Sequence, residues 1–232
     1  MVTIQIPLGI ALPDGASFAN YYGGPHAQLL DGLQRSLRAG TEPFVYLWGS
    51  AGVGKTHLLH AACRMIADLG ESIAYVPLAQ PEMGPEVLEG LETCALIAVD
   101  DLHVRTGDPD WELALFVLYN RMREAGGELL MAGRQAPAHL GCVMPELRSR
   151  LSWGLVLHLH GLDDAQRLAA LQHRARCRGF EVPDEVGQFL LRRQPRDMPA
   201  LFALLEALDQ ASLAAQRRLT IPFVKSVLDA AR

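Results

Sequence analysis

The sequence predicts an α/β core with a phosphate-binding P-loop and a five-stranded parallel sheet, followed by a small all-helical domain. Three observations carry that expectation. The run Gly49-Ser50-Ala51-Gly52-Val53-Gly54-Lys55-Thr56 stands directly between an apolar segment and a helical pattern. Apolar segments alternate with helical stretches as far as residue 160. Beyond Gly161 the strand signals stop and helical patterns alone remain. Alternation of this kind builds a wound sheet with helices on both faces.

In chain order, residues 1–15 read as a leader. Gln5, Ile6, Leu8 and Ile10 combine a glutamine with spaced apolar side chains, a pattern that either docks as an extended peptide or lies on the core. Residues 16–160 form the core, with strands at Phe44–Trp48, Ile73–Val76, Leu96–Val99, Leu129–Ala132 and Leu155–Leu159. The first four are near-continuous apolar runs, as parallel strands covered on both faces require. The fifth alternates with His158 and His160 and reads as an edge strand. A helix over Thr56–Asp68 stops at Gly70, a natural C-cap. A second over Trp111–Glu124 aligns Leu115, Leu118 and Met122, starts after Asp108-Pro109 and stops at Gly126-Gly127. Residues 161–232 supply four helices: Asp163–Arg178, Pro183–Arg193, Met198–Gln216 and Ile221–Ala230. Within them Leu201, Leu204, Leu205 and Leu208 form a core stripe, and Arg174, Arg176 and Arg178 read as a solvated helix end.

Half of the 232 residues are apolar, enough to bury a substantial core. The net charge of −5 gives no general reason to expect nucleic-acid binding. It is uneven: residues 1–160 carry 10 Lys/Arg against 17 Asp/Glu, net −7, and residues 161–232 carry 11 against 9, net +2. Cys63, Cys94, Cys142 and Cys177 form no paired motif, as in a thiol-keeping cytoplasm. No signal-peptide pattern and no apolar run of spanning length is evident, so the expectation is a cytoplasmic protein without a membrane partner.

The glycine loop carries the chemistry. Gly49, Gly52, Val53 and Gly54 let backbone N–H groups turn inward around phosphates, Lys55 supplies a point charge, and the Thr56 hydroxyl can ligate Mg²⁺. His57, next on that helix, is counted with the nucleotide-binding residues; neither it nor His60 has metal-like companions. Leu96-Ile97-Ala98-Val99 leads an acid pair to the ligand-binding edge of the sheet. There Asp100 serves as the second Mg²⁺ residue and Asp101 orients water, unless the pair is only a solvated turn. His103, after the acid pair, either touches the nucleotide region or is an ordinary loop histidine. Arg148 and Arg150 are either solvated surface groups or cations facing a neighbour's nucleotide, a role that suits the two-donor guanidinium. Arg196 either reaches bound nucleotide or pairs with Asp197.

Taken together, Gly49–Thr56, Leu96–Asp101, Pro145–Gly154, Arg196-Asp197-Met198 and Leu219–Lys225 resemble the DnaA-related AAA+ family, nearest to its Hda-type regulatory inactivators. The resemblance covers nearly the whole chain and implies an AAA+ core with a helical lid. It makes Asp100 and Asp101 the Walker B acids, Arg150 an arginine finger acting in trans, and Arg196 the lid's nucleotide sensor. It aligns Gln5–Ile10 with a hexapeptide that binds the DNA polymerase III β sliding clamp, Gly9 and Ile10 making an imperfect version. The partners implied are the DnaA initiator and the clamp, with Arg148 beside the finger and a homodimer left open. The ligand implied is ADP, or ATP, with Mg²⁺. Initiators of the family continue into a DNA-reading domain, and nothing follows Arg232, so little or no sequence-specific DNA binding is expected.

One departure bears on activity. Met131-Ala132-Gly133-Arg134 stands where related proteins place a Thr or Asn, often with an Asp, to sense the γ-phosphate. Ala132 cannot hydrogen-bond and Arg134 reverses the charge, which argues against efficient hydrolysis by this chain and leaves nucleotide binding intact. The expectation is a negative regulator of replication initiation that stimulates hydrolysis by DnaA. The alternatives are an autonomous DnaA-related ATPase or helicase-loading factor, and a binding module merely stabilised by nucleotide.

Overall fold

The computed structural model describes residues 15–193 and 197–230. Five parallel strands, β1 (Phe44–Trp48), β2 (Ile73–Pro77), β3 (Leu96–Asp100), β4 (Glu128–Gly133) and β5 (Leu155–His158), form one sheet in the order β2-β3-β4-β1-β5. The fold class is the expected one, with β5 at an edge. Trp48 pairs with Gly133 of β4 on one side and with His158 of β5 on the other. The glycine loop after β1 and the acid pair after β3 therefore flank the end of β4.

Residues 25–160, with the described residues up to Phe18, make one unit. Its helices are α1 (Ala27–Ala39), α2 (Lys55–Ala67), α3 (Pro109–Ala125) and α4 (Pro145–Leu151). Asp108 caps α3 by accepting from the amides of Asp110 and Trp111, and Pro109 occupies the first turn, where no amide is needed. Leu115, Leu118 and Met122 of α3 are buried with Ile97, Val99, Leu129 and Met131 of the sheet. Each such side chain contributes about 1.5–3 kcal/mol by leaving water.

Two details place α4 and β5. Glu112 is fully buried on α3, and its carboxylate accepts from the amides of Gly107 (2.7 Å), Val143 (3.0 Å) and Met144 (2.6 Å), pinning the residues that start α4. At Gly154 a Cβ would lie 2.0 Å from the Phe44 carbonyl oxygen, so no side chain fits where β5 joins β1.

The other unit comprises Ala19–Gly24 and the residues from Gly161 onward, so the segment 19–24, assigned to the core from sequence, contributes here. Its helices are α5 (Asp164–Cys177), α6 (Asp184–Arg193), α7 (Met198–Ala215) and α8 (Ile221–Ala230). Asp163 and Gln166 form a reciprocal capping box at the start of α5. The Ala19 carbonyl accepts from His173 Nε2 at 3.0 Å, and Tyr22 packs against the core of this unit. By length and composition alone α7 could cross a bilayer. Its Leu201, Leu205 and Leu208 are instead buried in the unit's core, and Arg178 grips its Asp209 (2.9 Å) and Glu206 (3.1 Å). The end of α5 is thus tied down at Arg178 rather than merely solvated.

Candidate nucleotide site and arginine surface

The phosphate loop begins where β1 ends. The Gly49 amide donates to the Gly133 carbonyl at 3.3 Å, and a Cβ on Gly49 would lie 2.3 Å from the Leu159 carbonyl oxygen. Gly54 caps α2 with φ +95°, a conformation that disfavours side-chain-bearing residues. The first amides of α2 lack intrahelical partners and make an anion site with the loop.

Lys55 is buried, and its Nζ donates to the carbonyls of Gly49 and Ser50, both at 2.8 Å. Burial lowers its pKa, while Asp100 and Asp101 act in the opposite direction. Thr56 Oγ1 donates to Asp100 Oδ2 at 2.6 Å across 44 positions of sequence. The Asp101 amide donates to Asp100 Oδ1 at 2.8 Å, and Asp101 itself adopts φ +53°. Lys55, Thr56, Asp100 and Asp101 therefore gather at one end of the sheet. They fit a polyphosphate with a divalent ion: the loop amides and Lys55 would hold phosphates, and Thr56 and Asp100 the ion. That ion would supply charge neutralisation. Among the described residues no cluster of three or more His, Cys, Asp or Glu side chains offers another metal site.

Tyr75 was not legible as a site residue. The Tyr75 hydroxyl donates to Asp100 Oδ2 at 3.0 Å. His60 meets Tyr75 edge-on at 4.3 Å, its Nε2 buried without a hydrogen-bond partner. His103 Nδ1 lies 4.0 Å from Asp101 Oδ1. Burial lowers the His103 pKa, and the charges of Arg134 and Lys55 lower it further. Arg134, after β4, also disfavours the Lys55 ammonium, so its charge reaches the phosphate loop. Ala132 is buried and offers no polar side chain. The side chain of His57 is engaged elsewhere: its ring nitrogen meets the Ser17 carbonyl at 2.9 Å.

Arg150 occupies the last turn of α4 and is half-buried. Its Cζ lies 4.5 Å from the Trp153 ring centroid and 5.8 Å from that of Tyr119. Among the described residues no carboxylate forms an ion pair with it. Neither does Arg150 bond to Lys55, Thr56, Asp100 or Asp101. Arg148 is exposed. Gln5, Ile6, Leu8, Ile10 and Arg196 lie outside the described residues. Asp197 caps α7 by accepting from the Ala200 amide at 3.3 Å.

Residues 36–158 match the family described as the bacterial DnaA ATPase domain. The chain belongs to the bacterial DnaA ATPase family. Residues 164–228 match a second description, the Hda lid domain, so a DnaA-type ATPase domain is joined here to an Hda-type lid. Domain III of the DnaA replication initiation protein of Thermotoga maritima superposes with a TM-score of 0.76 at 18% identity, over 94% of this chain and 97% of that one. AMPPCP-bound DnaA of Aquifex aeolicus gives 0.73 at 20% identity, over 86% of this chain and 66% of its own. The RuvB Holliday junction branch migration motor of T. maritima gives 0.62 at 15%, over 88% and 67%. At these identities the likeness is one of fold. The DnaA-type AAA+ fold implies that the chain binds ATP or ADP.

Proposed function

We propose that this chain is an Hda-like negative regulator of replication initiation that acts on a second AAA+ subunit, DnaA, while docked on the sliding clamp. Gln5, Ile6, Leu8 and Ile10 form the clamp-docking peptide, with Arg148 contributing to partner binding. Arg150 is presented to the ATP held by DnaA, where its guanidinium stabilises negative charge developing on the transferring phosphoryl group. The observation that carries this reading is the state of Arg150: half-exposed, resting on two aromatic rings, and ion-paired to no carboxylate among the described residues. A surface arginine with no structural anion partner is suited to an anion from outside. In GTPase systems an inserted arginine contributes on the order of 10³–10⁵ in rate, or about 4–7 kcal/mol. The chain's own site holds ADP or ATP with Mg²⁺, and Arg196 senses that nucleotide from the lid.

The test is ATP turnover by DnaA on clamp-loaded DNA. Wild-type chain accelerates it and Arg150→Ala does not; equal acceleration by both removes the mechanism. The intact Lys55–Thr56–Asp100 arrangement favours a second reading, an autonomous ATPase or helicase-loading factor. Rapid ATP turnover by the isolated chain would select it, and buried Ala132 opposes it.

A further inference from the structure

We infer that Trp153 is a positioning residue for Arg150: its indole face holds the guanidinium in the pose from which it meets phosphate oxygens of a triphosphate on a second subunit. The inference rests on the function proposed above. Its physical basis lies in how Trp153 is placed. Trp153 is 65% exposed, so the core does not account for its large apolar side chain.

Its backbone is held on both sides. The Trp153 amide donates to the Arg150 carbonyl at 3.1 Å, closing the turn that ends α4. Gly154 follows, where a Cβ would lie 2.0 Å from the Phe44 carbonyl oxygen. The indole therefore stands one tight turn from Arg150, on a fixed stretch of chain, with its ring centroid 4.5 Å from the guanidinium carbon. Tyr119 borders the same guanidinium at 5.8 Å and is itself stacked on buried Phe44 at 4.1 Å. Arg123 approaches the Trp153 ring at 5.9 Å, adding a second positive charge to the surface.

A free arginine stem samples many rotamers, and holding it for catalysis costs entropy. Tryptophan is the strongest cation–π partner, and its attraction needs no counter-anion. The guanidinium is thus held while its N–H donors stay available to phosphate, which a carboxylate partner would not allow.

The test is stimulated ATP turnover by DnaA on clamp-loaded DNA, titrated with full-length wild-type, Trp153→Ala, Trp153→Phe and Arg150→Ala chains of matched thermal stability. Trp153→Ala should lower the plateau rate about 3- to 30-fold. The half-saturating concentration should change by less than about twofold, because positioning acts on the transition state rather than on docking. Trp153→Phe should recover most of the plateau. An unchanged plateau with Trp153→Ala, a change in half-saturation alone, or a Trp153→Phe variant as impaired as the alanine one would each overturn the inference. In those cases inactive Arg150→Ala would leave the proposed function standing. If Arg150→Ala stimulates like wild type, both fall.

Discussion

Tyr75 and Thr56 donate to the same oxygen of Asp100, at 3.0 and 2.6 Å, so Asp100 Oδ2 is held from the sheet and from the phosphate helix together. Removing the Tyr75 donor loosens the carboxylate, which Thr56 and the Asp101 amide still hold. Tyr75→Phe should weaken nucleotide binding about 3- to 10-fold with Mg²⁺ present and leave it nearly unchanged in EDTA, since the effect passes through the ion's residues. Calorimetric titration with ADP under both conditions checks this. Equal losses in both would show that Tyr75 supports the fold and not the ion.

Glu112 offers a harsher perturbation. Its buried carboxylate accepts from three backbone amides, and Glu112→Ala removes the acceptor of all three. Those amides belong to exposed or half-buried residues, so water replaces part of what is lost, and the variant should lose about 1–3 kcal/mol in urea unfolding. Glu112→Gln should retain more, because its amide oxygen still accepts.

Arg134 lies within electrostatic reach of Lys55 and His103 and disfavours the protonated form of each. Removing a positive charge makes protonation easier, so Arg134→Ala should raise the His103 pKa. NMR titration of the imidazole reads this directly. The same variant should bind ADP several-fold more weakly, most clearly at low salt, because a cation near the phosphates is lost.

Glu128, at the start of β4, is half-buried with Oε2 lacking a hydrogen-bond partner, and burial raises its pKa to about 7. A carboxyl whose folded pKa exceeds its unfolded value disfavours the fold once ionised. Its contribution to stability is therefore best below about pH 4.5, falls as pH rises to about 7, and is level above that. Glu128→Gln should raise stability at pH 8 by roughly 1–2 kcal/mol, allowing for partial exposure, and change little at pH 4.5. Urea midpoints at the two pH values decide it.

The strands were legible because parallel sheet buries both faces of each strand, leaving unbroken runs such as Leu96–Val99. Observed ends differ by a residue, as at β4, which continues through Gly133. Helix α1 lacks a start signal in the sequence although Leu30, Leu33 and Leu37 carry its period and are buried: its N-cap His26 makes no capping side-chain bond. Strand order is set by long-range pairing, so the place of β4 between the glycine loop and the acids could not be read. Lys55, Thr56 and Asp100 were readable because phosphate chemistry restricts residue type at fixed spacing. Tyr75 and Glu112 were not: each acts through a contact far away in sequence, and its identity alone resembles ordinary strand or helix usage.

The helical unit draws on two distant stretches of chain, and this bears on the order of its assembly. During synthesis Ala19–Gly24 leaves the ribosome early, yet the imidazole that binds the Ala19 carbonyl arrives 154 positions later. A fragment begun at Gly161 would lack that stretch, and a truncation removing residues 19–24 would damage the helical unit rather than the α/β unit that follows it in sequence. Completion of this unit therefore comes late in synthesis relative to its first stretch, whatever the α/β unit has achieved by then.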